Sequence, residues 1–359
     1  MKNGNNRLSL GLIGCGWVTE NRHLPALQGL PEVRIAALVE INPERLKHVA
    51  DRFHIERRYS DFLALLEDPV IDVVGVCVPT QFHAEVALAA LDAGKHVFIE
   101  KPLTLRLEES DQLIVKAATS SSKVMVGFNL RWHRLVRQAR EIIRQGTLGP
   151  LELIRTVLTS NYETLPEWKR RRDIGGGAFL EQAVHHIDLW RLLLQSEVEE
   201  VYAINRSESR DDEVATVTAR MTNGVLVSSV FSQDTSENNE VEIYGKAGRL
   251  HLSCYRFDGL IFFPTSSSPG DIRTHFRSMA HTVKELPRGA LKWFEGGNYI
   301  ASYRAEWRHF IDCIKKGTPV ECTLDDGRCA LRVALAAVDS ALFREPVRIG
   351  QVMPQAAVL

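Results

Sequence analysis

Hydrophobic residues in the first third of the chain form short, nearly continuous runs instead of alternating with polar residues. Such runs, rich in valine and isoleucine, are typical of strands that are covered on both faces. They occupy residues 8–13, 33–39, 73–78, 96–99 and 123–127. Helical patterns lie between them, and the one at residues 43–53 follows Asn42, a good N-cap, and begins with Pro43. This alternation predicts a doubly wound parallel sheet, an α/β Rossmann domain over residues 1–128.

Beyond Asn129 the pattern changes to long strand-like runs with few helices between them. After a helical pattern at 135–144, these runs occupy residues 151–159, 198–205, 214–221, 225–231, 241–243 and 250–254. Short turns separate them, which predicts a large, mainly antiparallel sheet. A serine- and proline-rich segment at 264–270 predicts a surface loop, and helical patterns at 303–315 and 325–342 close the chain. We therefore expect a second domain of the α+β class over residues 129–359.

Composition narrows the classes of function. The 359 residues exceed what one hydrophobic core usually serves, and they are 45% hydrophobic and 25% charged. A formal net charge of −1 gives no electrostatic reason to expect nucleic acid or an anionic membrane as a partner. The chain begins without an apolar leader, and its six cysteines show no C-x-x-C or His/Cys spacing. We therefore expect a reduced cytoplasmic protein that needs no metal.

The first strand runs directly into a glycine-rich turn, Gly14-Cys15-Gly16-Trp17-Val18-Thr19. Glycines at its first and third positions allow a tight turn and a close approach of the backbone to a pyrophosphate. We expect Gly14, Gly16, Trp17 and Val18 to contact a dinucleotide, although Thr19 stands where the fingerprint has Gly or Ala. A glycine turn without a ligand is the structural alternative.

Glu40 ends the second strand and bears on which cofactor is bound. An acid in this place holds the adenine ribose hydroxyls, and its carboxylate would repel a 2′-phosphate. The next residue is Ile41 and not the arginine that NADP requires, so NAD is favoured over NADP. Arg45, one helical turn further on, is the residue that would favour NADP.

The segment at 93–102 reads Ala-Gly-Lys-His-Val-Phe-Ile-Glu-Lys-Pro. It resembles the signature of the glucose–fructose oxidoreductase, inositol dehydrogenase and MocA family, in which an A-G-K-H-V strand ends in E-K-P. Further matches, in the family's order along the chain, lie before this segment at residues 22–27 and 78–83 and after it at 127–131 and 175–177. The resemblance implies an NAD-dependent oxidoreductase acting on CH–OH groups of sugars, cyclitols or sugar acids. It also implies a homodimer or homotetramer, with the second domain binding the substrate and forming the oligomer.

Residues inside these matches are implied to contact the cofactor. They are Pro79, Thr80, His83, Glu100, Lys101 and Asn129. By the same resemblance Lys101 is the active-site lysine that hydrogen-bonds the reacting oxygen, and Arg131 faces the substrate. Lys101 also falls at the carboxyl end of a parallel strand, where open α/β sheets bind ligands. Since the strand must turn sharply to present Lys101, we predict a cis Lys101–Pro102 peptide.

A second motif, Glu181-Gln182-Ala183-Val184-His185-His186-Ile187-Asp188, follows the three glycines at 175–177. The family pattern there is D-x-G-x-H. The resemblance therefore implies that His185 is the general base and Glu181 its acidic partner, with Ala183 replacing the usual glycine. Residues four apart share a helix face, whereas His186 lies about 100° from His185. We expect His186 and Asp188 to be structural, and the change from Asp to Glu181 to alter substrate choice more than reaction type.

Four basic residues at 169–172 precede the glycines. They form either a solvated loop or a clamp for a carboxylate or phosphate of the substrate, with Arg172 on the anion. Trp168, just before them, either stacks on a sugar ring or packs against the protein. Two other functions use the same scaffold in relatives: NAD-dependent glycoside cleavage without net redox change, and cofactor-sensing regulation without catalysis. The presence of Lys101 and His185 argues against the regulator.

Overall fold

Six parallel strands form the first sheet of the computed structural model, which describes residues 7–161, 166–267, 271–272, 276, 279–287 and 297–350. The strands are β1 (Leu8–Ile13), β2 (Val33–Val39), β3 (Arg57–Tyr59), β4 (Val73–Val76), β5 (His96–Glu100) and β6 (Val124–Gly127). Their order, β3-β2-β1-β4-β5-β6, is that of a Rossmann sheet. The predicted doubly wound parallel sheet is confirmed. Its order reverses between β1 and β4, and ligands of such sheets bind at the carboxyl ends of the strands beside that point.

Helices connect these strands. They are α1 (Leu24–Gln28), α2 (Pro43–Phe53), α3 (Phe62–Leu66), α4 (His83–Asp92) and α5 (Leu107–Ala118). The Asn42 side chain accepts the Arg45 N–H at 3.0 Å, so the predicted cap of α2 is present. Strand β3 was not predicted, because its sequence Arg-Arg-Tyr is too polar to stand out from a loop.

The second sheet has eight strands. They are β7 (Leu151–Asn161), β8 (Val198–Arg206), β9 (Val214–Met221), β10 (Leu226–Ser232), β11 (Asp234–Gly245), β12 (Gly248–Ser253), β13 (Leu260–Pro264) and β14 (Val347–Arg348). Every neighbouring pair is antiparallel except β10 and β7, which are parallel. The predicted, mainly antiparallel α+β domain is thus confirmed. Two helices described with it are α6 (Arg134–Arg144) and α7 (Val184–Leu194).

The edge of the second sheet includes a strand that was not predicted, and part of the loop predicted after it lies outside the described residues. Residues 260–264 form the edge strand β13, for which no strand was predicted, and its last residue, Pro264, was expected to begin the loop. Of the loop predicted at 264–270, residues 265–267 have no regular structure and residues 268–270 lie outside the described residues. Among the described helices, none combines the length and the apolar character needed to cross a lipid bilayer.

Two further helices, α8 (Gly297–Lys316) and α9 (Leu324–Phe343), follow in the chain. The chain forms two compact units: described residues 7–132 and 297–329 make the first, and 133–287 and 330–350 the second. The division predicted at residue 128 assigned α8 to the second domain. In the structure α8 belongs to the first unit, where Trp307 stacks on Phe98 with ring centroids 4.2 Å apart. Periodicity alone cannot show this, because it identifies a helix but not the surface against which it packs.

Candidate active site

The glycine turn after β1 has the geometry that a dinucleotide requires. Gly14 has φ +98°, and a Cβ there would lie 2.4 Å from the Cys77 carbonyl oxygen, so only glycine fits. At Gly16 a Cβ would meet nothing within 4 Å, which leaves the backbone open to an approaching group. Trp17 is exposed beside it, and Val18 packs on Ala26 and its neighbours. The turn therefore fits the pyrophosphate of NAD.

Thr19 has a structural reason to replace the third glycine of the fingerprint. Its side chain is fully buried, and its Oγ1 donates a hydrogen bond to the Gly14 carbonyl at 2.8 Å. The Thr19 hydroxyl thus links the end of the turn to its first residue by a hydrogen bond. The residues that follow, Thr19–His23, form a π-helical turn leading into α1.

Glu40 is held against the same turn. Its Oε2 accepts the N–H of Cys15 and its Oε1 that of Asn42, each at 3.0 Å. Arg45 is engaged elsewhere: its Nε donates to the Cys15 carbonyl at 2.7 Å, and its Nη2 lies 2.5 Å from Glu20. Arg45, the residue that would favour NADP, is thus bound to the buried carboxylate of Glu20.

We expect the chain to bind NAD at least about 100-fold more tightly than NADP, because the 2′-phosphate would be forced against the Glu40 carboxylate. Glu40→Ser should reduce this ratio at least about tenfold, mainly by strengthening NADP binding. Isothermal titration of both nucleotides measures the two Kd values. Glu44→Gln, which removes an exposed acid from the first turn of α2, is the control and should leave the ratio unchanged. Tighter binding of NADP than of NAD by the wild type would contradict this interpretation of Glu40.

Strand β5 ends at Glu100, and Lys101 and Pro102 follow it at the ligand-binding edge of the first sheet. The Lys101–Pro102 peptide is cis, which confirms the prediction. Glu100 is buried; its Oε1 lies 2.8 Å from His23 Nε2, and its Oε2 accepts the Lys101 N–H at 3.1 Å. Lys101 itself is half-buried. The predicted catalytic lysine therefore extends from a backbone that the preceding glutamate holds in place.

His83, expected to contact the cofactor, is fully enclosed. Its two ring nitrogens lie 2.9 Å from the carbonyl oxygens of Pro102 and Val78. It connects the loop after β4, which carries Pro79 and Thr80, with the loop after β5. Thr80 is buried and Pro79 half-buried. The geometry is that of a brace between two loops, and direct contact of these residues with the cofactor remains a prediction.

Two residues after β6 are also buried within the first unit. Asn129 Nδ2 donates to Ser302 Oγ at 3.4 Å. Arg131 donates to the Glu321 carbonyl at 2.8 Å and forms an ion pair with Asp326 at 3.1 Å. Its guanidinium thus has an internal carboxylate partner. The predicted substrate contact of Arg131 is not supported by this arrangement.

In the second unit the acidic motif begins in a π-helical turn, Ala178–Ala183, and continues into α7. Glu181 lies in this turn and His185 in the α-helix that continues it, so the expectation that the two share one helix face stays a prediction. Glu181 is buried and its Oε1 lies 2.5 Å from Lys169 Nζ. His185 is half-buried. The ion pair with Lys169 was missed, because the basic run gave no sign of which lysine or arginine faces the acid.

His186 has the surroundings of a packing residue. It is fully buried, its Nε2 lies 3.1 Å from Asn239 Oδ1, and its ring meets Phe231 edge-on with centroids 5.8 Å apart. Burial lowers the pKa of His186 from 6.5 to about 4. The imidazole therefore stays neutral at pH 7 inside the second unit, as its expected structural role requires.

The buried, neutral His186 predicts a loss of stability in acid. In the unfolded chain its pKa returns to about 6.5, so the unfolded state binds the proton first as the pH falls. We expect the titration of His186 to lower the free energy of unfolding by about 2 kcal/mol when the pH falls from 7.5 to 5. Urea unfolding at the two pH values measures the loss, and His186→Gln, which cannot titrate, should show a correspondingly smaller one. Equal losses in wild type and variant would contradict the assignment.

Most of the basic run at 169–172 is engaged in ion pairs. Arg172 binds the fully buried Asp212 through two nitrogens at 2.7 and 2.8 Å, and Arg171 pairs with Asp173. Arg170 is exposed and lines an open cavity of about 760 Å³ with Arg171, Ser207, Glu208, Ser209, Arg210 and Asp211. Trp168 lies beside Lys169, whose Nζ is 5.2 Å from the ring centroid. Arg172 is thus a structural anchor in this geometry, and substrate binding by Arg172 and Trp168 remains a prediction.

Comparison with known proteins places both units in one family. Residues 8–128 match the model of the oxidoreductase family GFO/IDH/MocA with an NAD-binding Rossmann fold, and residues 136–251 match its C-terminal domain. The myo-inositol 2-dehydrogenase of Thermotoga maritima is 27% identical over 96% of this chain and 100% of its own length. A dTDP-3,4-didehydro-2,6-dideoxy-α-D-glucose 3-reductase of Actinomadura kijaniata is 31% identical over 69% of this chain and 75% of its own.

A solved structure resembles most of the chain. The crystal structure of a probable dehydrogenase from Thermotoga maritima is 26% identical, with a TM-score of 0.78 over 96% of this chain and all of that chain. The succession of a parallel and a mainly antiparallel sheet is therefore shared with it.

Proposed function

The chain belongs to the GFO/IDH/MocA oxidoreductase family, and on this premise we propose that it transfers a hydride between NAD and a secondary alcohol of a sugar, cyclitol or sugar acid. The observation that carries the proposal is the segment Glu100–Lys101–Pro102 at the carboxyl edge of the first sheet, the edge that also carries the glycine turn. Relatives named for myo-inositol and for a dTDP-sugar support this class of substrate.

Residues of this chain are assigned three tasks in the reaction. NAD, when bound, supplies the hydride acceptor. Lys101 hydrogen-bonds the reacting oxygen and stabilises the negative charge that develops there. His185 removes the hydroxyl proton, because an imidazole is the side chain best matched to proton transfer near pH 7. Glu181, paired with Lys169, binds a neighbouring hydroxyl group or orients His185.

An absorbance screen for NADH tests the proposal. Purified protein and NAD are mixed with cyclitols, aldoses, uronic acids and nucleotide sugars, and steady NADH formation with at least one of them is expected. Cleavage of a glycoside without steady NADH formation would instead support the NAD-dependent glycosidase. Tight binding of NAD with neither reaction would support a cofactor-sensing regulator and contradict the proposal.

We also propose that the chain assembles as a homodimer or homotetramer through the open face of the second sheet. Leu226 and Leu153 are register partners on neighbouring strands, and both are exposed, as are Val230 and Ile204. Exposed apolar residues grouped on one sheet face are typical of an interface. Light scattering after size exclusion is expected to show an oligomer that Leu226→Glu weakens or dissociates. A wild-type monomer would contradict the proposal.

A further inference from the structure

A buried chain of hydrogen bonds leads from α8 to the backbone of Lys101. Trp307 Nε1 lies 2.9 Å from His23 Nδ1, His23 Nε2 lies 2.8 Å from Glu100 Oε1, and Glu100 Oε2 accepts the Lys101 N–H. His23 and Trp307 are fully buried. All four residues belong to the first unit. The proposed mechanism uses only the last of them.

The donors and acceptors in this series of hydrogen bonds can be assigned. An indole N–H can only donate, so His23 Nδ1 must be the acceptor and carry no proton. The ring proton therefore lies on Nε2 and is donated to the Glu100 carboxylate. Phe98, Tyr303 and Trp307 meet the imidazole edge-on, with centroids 5.0 to 5.8 Å away, and hold its orientation.

We propose that His23 is a positioning residue for Lys101 and acts through the carboxylate of Glu100. This proposal rests on the proposed function of Lys101. A carboxylate buried without a donor would be costly, and His23 is the side chain that supplies one. The second oxygen of Glu100 is then free to hold the Lys101 N–H.

Both oxygens of the buried Glu100 carboxylate thus have a donor, the His23 ring N–H on one side and the Lys101 main-chain N–H on the other. Glu100 therefore remains an acceptor for the main-chain N–H. On the other side of the same segment, His83 Nδ1 lies 2.9 Å from the Pro102 carbonyl. Two buried histidines thus fix the backbone from which the flexible lysine side chain extends.

The lysine side chain has four rotatable bonds, so the position of its amino group also depends on how firmly its backbone is held. A displacement of about 1 Å at a reacting group can cost about 100-fold in rate. Loss of the His23 donor should therefore lower kcat more than it weakens cofactor binding. A purely structural role would lower the thermal midpoint and leave the rate of the folded enzyme unchanged.

Two variants of His23 separate these roles. His23→Gln keeps an amide donor near the position of Nε2, toward Glu100. His23→Asn keeps an acceptor near the position of Nδ1, toward Trp307, and is too short to reach Glu100. We expect His23→Asn to lower kcat roughly 10- to 100-fold, with Kd for NADH within about threefold of wild type. His23→Gln should retain kcat within about threefold, although both variants lower Tm.

A second measurement does not depend on turnover. Trace acetylation with acetic anhydride, read by mass spectrometry, reports the reactivity of each lysine in the folded protein. The labelling of Lys101 relative to that of Lys116, the internal reference, should change at least about threefold in His23→Asn and little in His23→Gln. Failure of wild type to oxidise any substrate would remove the proposed function, whereas this ratio would still test the link from His23 to Lys101. Equal kcat values and equal Lys101 labelling in the two variants would overturn the proposal.

Discussion

Replacing His185 with alanine is expected to lower kcat for alcohol oxidation by about 10²–10⁴-fold, the range for loss of a general base. The side chain is half-buried near the start of α7, four residues after the buried Glu181. NAD binding should remain within a few-fold of wild type, because the glycine turn and Glu40 belong to the other unit. Steady-state NADH formation and titration with NAD measure the two effects separately.

The neighbouring histidine provides the matched control. His186→Gln keeps a donor toward Asn239 and should retain most of the activity while losing some thermal stability, since only packing is disturbed. External imidazole should restore part of the rate to His185→Ala and nothing to the His186 variant. A larger loss of kcat in the His186 variant than in His185→Ala would require the assignment of the base to be abandoned.

Replacing Lys101 with methionine is the second change with a large expected effect. Methionine keeps most of the length of the side chain and removes the charge and the donor, so kcat should fall about 10²–10³-fold, as when one oxyanion donor is lost. Hydride transfer should become rate-limiting, and the deuterium isotope effect on kcat with a substrate labelled at the reacting carbon should rise toward its intrinsic value.

The control for this prediction is Lys116→Met. This lysine lies near the end of α5, where it pairs with Asp92 on the surface. Its replacement should leave both the rate and the isotope effect near wild-type values. A loss of less than about fivefold in Lys101→Met would show that Lys101 does not stabilise the reacting oxygen.

The fold could be predicted largely from hydrophobic patterning. Strands buried on both faces produce continuous apolar runs, and the bounds of β1 and β2 were predicted to the residue. The edge strand β3 carries too few apolar residues to be recognised, and the parallel pairing of β7 with β10 depends on which strands meet in space. Periodicity reports which faces are buried and not which partner buries them.

In the candidate site, too, local features could be predicted from the sequence and long-range pairings could not. Short-range features could be predicted from residue types: the glycine turn and the cis peptide before Pro102 each depend on a local backbone requirement, whereas ribose binding by Glu40 remains a prediction. The pairing of Glu181 with Lys169 and that of Arg172 with Asp212 depend on loops whose course carries no periodic signal. Convergence of Lys101 with Glu181 and His185 on one substrate remains a prediction, because these residues lie on different units.

The hydrogen bond between His23 and Trp307 has a consequence for biosynthesis, since 284 positions separate the two residues in the chain. At about 5–20 residues per second, translation needs roughly 10–40 s to proceed from the end of β6 to the end of α8. During that interval the nascent first unit lacks the indole that stacks on Phe98 and donates to His23. A Rossmann sheet that folds before α8 is synthesised would expose the apolar surface that Trp307 covers at Phe98, and binding by a chaperone in that interval would protect it.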